Sequence, residues 1–138
     1  MGSKPNNVIR IPCSLNNLFR YWLAFLTPFH TLTERETDVA AALLKERWYL
    51  SKSILDSNLL DMTLMSESVL KKVREELGLS NAHYQVIRNK LKQKKFLVDN
   101  KINRRLIPNI KEENGVFQLL LVFEYKDEER PDISASIK

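Results

Sequence analysis

Three glycines in 138 residues leave no room for a Gly-rich phosphate loop or a dinucleotide-binding fingerprint, each of which needs several glycines within a few positions. The single cysteine, Cys13, cannot form an internal disulfide and has no neighbouring ligands, so a reducing compartment is the expectation. Only two histidines occur, His30 and His83, and their separation supports neither a zinc site nor a cysteine nucleophile with a histidine base. No metal and no other cofactor is expected. Acids do occur in adjacent sets at 75–76, 112–113 and 127–129. Neighbouring helix residues point about 100° apart, however, and do not converge on one reacting atom. The chain therefore reads as a binding protein and not as an enzyme.

Long hydrophobic runs are also scarce. Residues 15–29 are rich in aromatics, but Asn16, Asn17 and Arg20 interrupt them and Pro28 ends them. What remains falls short of the roughly 20 apolar residues that a membrane helix needs. The N-terminus has no basic, apolar and small-residue zones of a signal peptide. A cytoplasmic, nucleoid-associated protein with no membrane partner is the expectation, and 138 residues suffice for one core with an added helix.

The formal charge of +5 is unevenly placed. Residues 69–111 hold twelve Lys or Arg against three acids, a local charge of +9 that leaves −4 for the remainder. A merely solvated surface would mix the two signs, so the segregation points to a polyanionic partner.

Residues 1–12 carry Pro5, Asn6, Asn7 and Pro12 and should form an irregular arm. A helix is expected from Ser14, with Leu15, Leu18, Phe19, Trp22 and Phe25 or Leu26 on one face and Pro28 as its stop. That face either packs on the main domain or supplies a homodimer contact. Thr33-Glu34-Arg35-Glu36 is a capping box. It opens a helix to about residue 50 with Val39, Ala40, Leu43, Leu44 and Trp48 in one stripe. Residues 32–39 resemble the opening helix of the DNA-binding domain in response-regulator-type activators. There, the next helix follows within a few residues, whereas a longer connection follows here. Over 51–65 a short helical turn and a brief extended piece at 62–65 are expected. Ser66 should cap the next helix, which presents Val69 or Leu70, Val73 and Leu77 inward and ends at Gly78.

Leu77-Gly78-Leu79-Ser80 then reads as a turn and a serine cap for a further helix over 81–95. Tyr84, Ile87 and Leu91 fall on its inner stripe, with Arg88 at the edge. Ala82, Gln85, Val86, Asn89 and Gln93 fall on the opposite face. Gln and Asn can pair bidentately with adenine, and Ala and Val can touch thymine methyls, although such residues are also ordinary on solvated helices. Ala82, Gln85, Val86 and Asn89 are the candidate base contacts. Ser80, Lys90, Lys92, Lys94, Lys101, Arg104 and Arg105 are the candidate phosphate contacts, with Lys95 beside them. Apolar residues at 96–98, a turn at 99–101 and a return over 102–108 read as a β-hairpin carrying Lys101, Arg104 and Arg105.

Residues 31–110 resemble the winged-helix class of helix-turn-helix proteins. The likeness rests on the Leu-Gly-Leu-Ser turn, on Tyr84, Ile87 and Leu91, and on Lys94-Lys95-Phe96-Leu97-Val98, where the class often has a basic residue, a glycine and an apolar strand. This chain departs from the class at Arg74, where a small residue is common, and at Lys95, where a glycine is frequent. The resemblance implies a mainly α fold with a small β-sheet, a winged helix-turn-helix. The residues themselves add a helix within 1–30, a continuous apolar strand at 116–125 and a charged, then Ser-rich, flexible tail at 127–138, so the domains are expected at 1–30, 31–126 and 127–138. The resemblance also implies a transcriptional regulator on double-stranded DNA, its recognition helix in the major groove and a basic wing over 96–108. Winged helices serve as protein-binding modules too, so the alternative is an assembly module in a replication or phage-like nucleoprotein complex, using the aromatic helix and the 116–125 strand.

Overall fold

The computed structural model describes residues 10–110. In order they form α1 (Leu15–Phe25), α2 (Thr27–His30), α3 (Glu34–Ser51), α4 (Ser57–Leu64), α5 (Glu67–Leu77), α6 (Asn81–Gln93), β1 (Leu97–Val98), β2 (Lys101–Ile102) and a short 3-10 turn, Arg104–Leu106. The described residues are thus mainly α, with one two-stranded antiparallel sheet. By contacts the chain divides after Pro108, and this architecture belongs to the first unit. The expected strand at 116–125, the turn before it, the tail at 127–138, Lys111 and most of the N-terminal arm lie outside the described residues.

Helix α3 is the axis of the fold. Thr33 Oγ1 accepts from Glu36 N–H at 3.3 Å and Glu36 Oε1 accepts from Thr33 N–H at 3.2 Å, so the capping box forms as its sequence requires. Six consecutive residues, Val39, Ala40, Ala41, Ala42, Leu43 and Leu44, are then all buried. A run of that length turns through the whole circumference of a helix, and helices α1, α4, α5 and α6 all pack around it. The three alanines let those neighbours approach closely. The stripe expected for this helix underestimates its burial, because an alanine reads as neutral in a periodic pattern.

Helix α1 buries Phe19 and Leu23 against α3, while Tyr21 and Phe25 stay exposed. Trp22 Nε1 donates to the carbonyl of Leu106 at 2.8 Å, fastening α1 to the 3-10 turn. Pro28 does not end α1 as expected: the helix stops at Phe25, and Pro28 sits in the first turn of α2, where its missing N–H is tolerated. Side chains take over the freed carbonyls. Thr27 Oγ1 donates to Ala24 O at 2.9 Å, and buried His30 donates from Nε2 to Leu23 O at 2.6 Å while its Nδ1 accepts from Leu32 N–H at 3.0 Å.

The 51–65 connection also differs from expectation. Residues 62–65 are not extended; Met62 to Leu64 complete α4 and Met65 caps it. Asp56 opens that helix by accepting from Asn58 N–H at 3.0 Å, and Leu60 and Leu64 bury one turn apart. Ser14 and Ser66 do stand at N-cap positions, yet neither hydroxyl makes a cap bond.

Helices α5 and α6 end alike. After α5, Gly78 is left-handed at φ 66°, with Leu79 N–H on Arg74 O at 2.8 Å and Gly78 N–H on Glu75 O at 3.3 Å. After α6, Lys95 is left-handed at φ 66°, with Phe96 N–H on Leu91 O at 3.0 Å and Lys95 N–H on Lys92 O at 3.2 Å. Both are Schellman endings, one with the residue that suits the geometry and one without. Lys95→Gly should therefore raise stability by about 1 kcal/mol. Gly78→Ala should lower it by about 1–2 kcal/mol, since open space surrounds Gly78 and backbone conformation is the whole penalty. Urea midpoints at unchanged slope measure both; a destabilised Lys95→Gly protein would contradict the assignment.

Candidate nucleic-acid interface

Helix α6 starts at Ser80, whose Oγ accepts from His83 N–H at 3.1 Å. The inner stripe is as expected: Tyr84, Ile87 and Leu91 are all buried. Arg74, where a smaller residue would allow closer helix packing, lies with its guanidinium carbon 5.9 Å from the centre of the Tyr84 ring and bonds Glu67 Oε1 at 2.5 Å. Burial pushes the Tyr84 phenol above its ordinary value, with Arg88 and Arg74 opposing.

The stripe turns the other face outward. Ala82, Gln85, Val86, Asn89 and Gln93 are all exposed, Val86 to 58%. At about 100° per residue they fill an arc of about 100°, and Lys90 and Lys92 stand about 80° to either side of Ala82. One lysine therefore borders each edge of this face.

The hairpin beyond α6 is shorter than expected. Its register pairs Leu97 with Ile102 and Val98 with Lys101, leaving Asp99 and Asn100 as a two-residue turn at φ 53° and 60°. Two consecutive left-handed residues make the turn that matches strand twist. Phe96, Leu97 and Ile102 face inward; Val98 and Lys101 face out. The expected return strand over 102–108 is absent beyond Ile102. Asn103 Oδ1 accepts from Arg105 N–H at 3.1 Å and starts the 3-10 turn, which carries Arg104 and Arg105 out of the hairpin. The tip is thus Asp99 and Asn100, and the cations lie on its flanks.

Hydrogen bonds divide the basic residues into two sets. Lys94 Nζ donates to Glu36 Oε1 at 2.6 Å and to Thr31 O at 3.1 Å. Arg104 donates to Ser57 Oγ at 2.8 Å and lies 3.9 Å from Asp61. Lys72 reaches Glu46 at 3.4 Å, Arg74 pairs with Glu67, and Arg88 donates to Asn100 Oδ1. Lys71, Lys90, Lys92, Lys95, Lys101 and Arg105 are exposed and have no ion pair among the described residues. The sequence-level +9 therefore overstates the charge left for a partner, but its unmatched portion lies on α5, along the edges of α6 and around the hairpin.

Two further contacts, beside those of Lys94 and Arg104, had no sequence signal. Arg88 and Asn100 form a strut between α6 and the hairpin tip, and Arg35 donates to Leu77 O at 2.8 Å, closing the end of α5 from α3. Neither pairing has a periodic or local spacing. Comparison with family models, with curated proteins and with solved structures returns no match. Among the described residues no acid, histidine or cysteine cluster could hold a metal, and no helix is long and apolar enough to cross a membrane.

Lys94 and Glu36 join the far end of α6 to the start of α3. Burial acts to raise the Glu36 pKa, but hydrogen bonds from Lys94 and Thr33 outweigh it and hold the carboxyl below its ordinary 4.5. Since the folded value is the lower one, this contribution to stability is complete above about 4.5 and is lost as pH falls from there through the depressed folded value. Glu36→Gln should accordingly cost stability at pH 7 and progressively less below 4.5. Urea unfolding of both proteins across pH 3–7 measures the difference; a gap of constant size would remove Glu36 from the acid response.

Proposed function

We propose that this chain is a winged-helix DNA-binding protein acting as a transcriptional regulator, with α6 in the major groove of double-stranded DNA. The observation that carries this reading is the α6 surface: a hydrogen-bonding and methyl-bearing face, bordered on each side by an exposed lysine with no ion pair among the described residues and fixed from behind by Tyr84, Ile87 and Leu91. Gln85, Asn89, Val86 and Ala82 meet base edges. Lys90 and Lys92 meet the backbones along the groove, with Lys95, Lys101 and Arg105 at the next phosphates. Arg104 and Lys94, engaged within the fold, position the elements that carry the others. In this reading the chain binds without catalysing and works at the nucleoid.

A homodimer through α1, the other expected contact, has Tyr21 and Phe25 left to use, because Phe19 and Leu23 are occupied by α3. The assembly-module reading is favoured by a different surface. Leu59 and Met62 on α4, and Leu55 just before it, are apolar and exposed to 51%, 73% and 94%. Its other expected contact, the 116–125 strand, lies outside the described residues.

Replacing both Lys90 and Lys92 by alanine separates the two readings. Under DNA binding, affinity for every duplex falls and the slope of log K against log salt becomes shallower by about 2, one per phosphate contact. Fluorescence anisotropy at several salt concentrations reads both quantities. Identical curves for wild type and the double variant would reject DNA binding by this face and leave the assembly role.

A further inference from the structure

We infer that α6 selects A·T base pairs, reading adenine through Gln85 and Asn89 and thymine methyl groups through Val86 and Ala82; this rests on the DNA-binding reading above. The inference comes from what the outer face holds and from what the fold withholds from it. Glutamine and asparagine match the N6 donor and N7 acceptor of adenine, and small apolar groups fit the C5-methyl of thymine. Guanine is read most often by arginine or lysine, and cytosine by a carboxylate. Helix α6 contains no acid. Its one arginine, Arg88, lies about 120° around the helix from Ala82, is half-buried, and gives its guanidinium to Asn100.

Lys90 and Lys92 sit at the two edges of the face, where the sugar-phosphate strands pass, and not at its centre. From Ala82 to Asn89 the face runs about 10 Å at 1.5 Å per residue, enough for about three base pairs at 3.4 Å each. Gln85, Val86 and Asn89 therefore suit consecutive pairs within one half-site. The Arg88–Asn100 strut thus does two things: it holds the hairpin to α6, and it keeps a guanine-reading side chain out of the groove.

The test uses the full chain and labelled duplexes at fixed moderate salt. Selection from a randomised duplex pool should enrich a core of two to four A·T pairs. Replacing core adenines by 7-deazaadenine should weaken binding by about 5- to 100-fold, the range for one bidentate contact. Replacing core thymines by deoxyuridine should weaken it less, and Val86→Ala should lessen that loss. Gln85→Ala and Asn89→Ala should lower affinity for the selected core and be insensitive to 7-deazaadenine at the position each one reads. Enrichment of a G·C core, or equal binding of all sequences, would overturn the inference while leaving DNA binding intact. So would an A·T preference that survives both base analogues, because the duplex would then be read by its shape. Failure to bind any duplex would reject the function proposed above, and the inference with it.

Discussion

Everything around α3 depends on the burial of that helix through its whole circumference. A helix apolar on one stripe can be covered by one or two partners; a run from Val39 to Leu44 that is buried throughout needs neighbours on every side. Four helices supply them, and each is joined to α3 by an ion pair: Arg20 of α1 with Asp38, Arg47 with Asp61 of α4, Lys72 of α5 with Glu46, and Lys94 after α6 with Glu36. Apolar packing against alanines is permissive about sliding and rotation, because small side chains offer few ridges. Charged pairs at the rims of those contacts are not permissive. A partly buried ion pair adds little net stability, but separating it leaves an unmatched charge, so each pair excludes the misregistered alternatives.

The same logic explains why so many basic residues of the +9 segment are not available to a partner. Lys72, Arg74, Lys94 and Arg104 answer carboxylates, and Arg88 answers an amide. The lysines left over are exposed and meet no acid among the described residues. On a helix whose inner stripe is fixed by Tyr84, Ile87 and Leu91, that condition is met along the flanks of the outer face. Segregation of charge and orientation of α6 therefore have one origin. The packing that buries the stripe also selects which cations face water.

Much of this was legible in the sequence wherever the determinant is local. The Thr33–Glu36 capping box, the left-handed turn at Gly78, the Ser80 cap, the α6 stripe and the non-glycine exit at Lys95 all follow from a few adjacent residues. Misreadings fell where a tertiary contact decides. Residues 62–65 carry apolar side chains that suit a short strand, yet Asp61 against Arg47 and Leu60 and Leu64 against the core make them helical. Pro28 marks a boundary, but helix α1 ends three residues before it, at Phe25, where Thr27 and His30 bond its last carbonyls. In the site, which residues share the outer face was readable from 100° geometry. That Lys94 and Arg104 are bound inside the fold was not, because Glu36 lies 58 residues from Lys94 and Ser57 lies 47 from Arg104.

The exit from α6 concentrates strain in a small space. Among the described residues, Lys95, Asp99 and Asn100 are three of the four non-glycine residues with positive φ, and these three lie within six positions. Such conformations persist only where the surroundings over-determine them. Here Phe96 is wholly buried, Asn103 Nδ2 donates to Lys95 O at 3.0 Å, Asn103 N–H donates to Phe96 O at 2.8 Å, and Arg88 holds Asn100. Glycine at 95 and 100 would relieve the backbone. At 95 it would also delete an unpaired cation at the junction of helix and hairpin, and at 100 it would release Arg88 from its strut. A folding requirement alone favours glycine at 95, as the matching turn at Gly78 shows, and at 100, the second position of a two-residue hairpin turn. The side chains kept there against backbone preference are the ones that set charge and orientation at the edge of the outer face: Lys95 leaves an exposed cation at the junction, and Asn100 holds the guanidinium of Arg88.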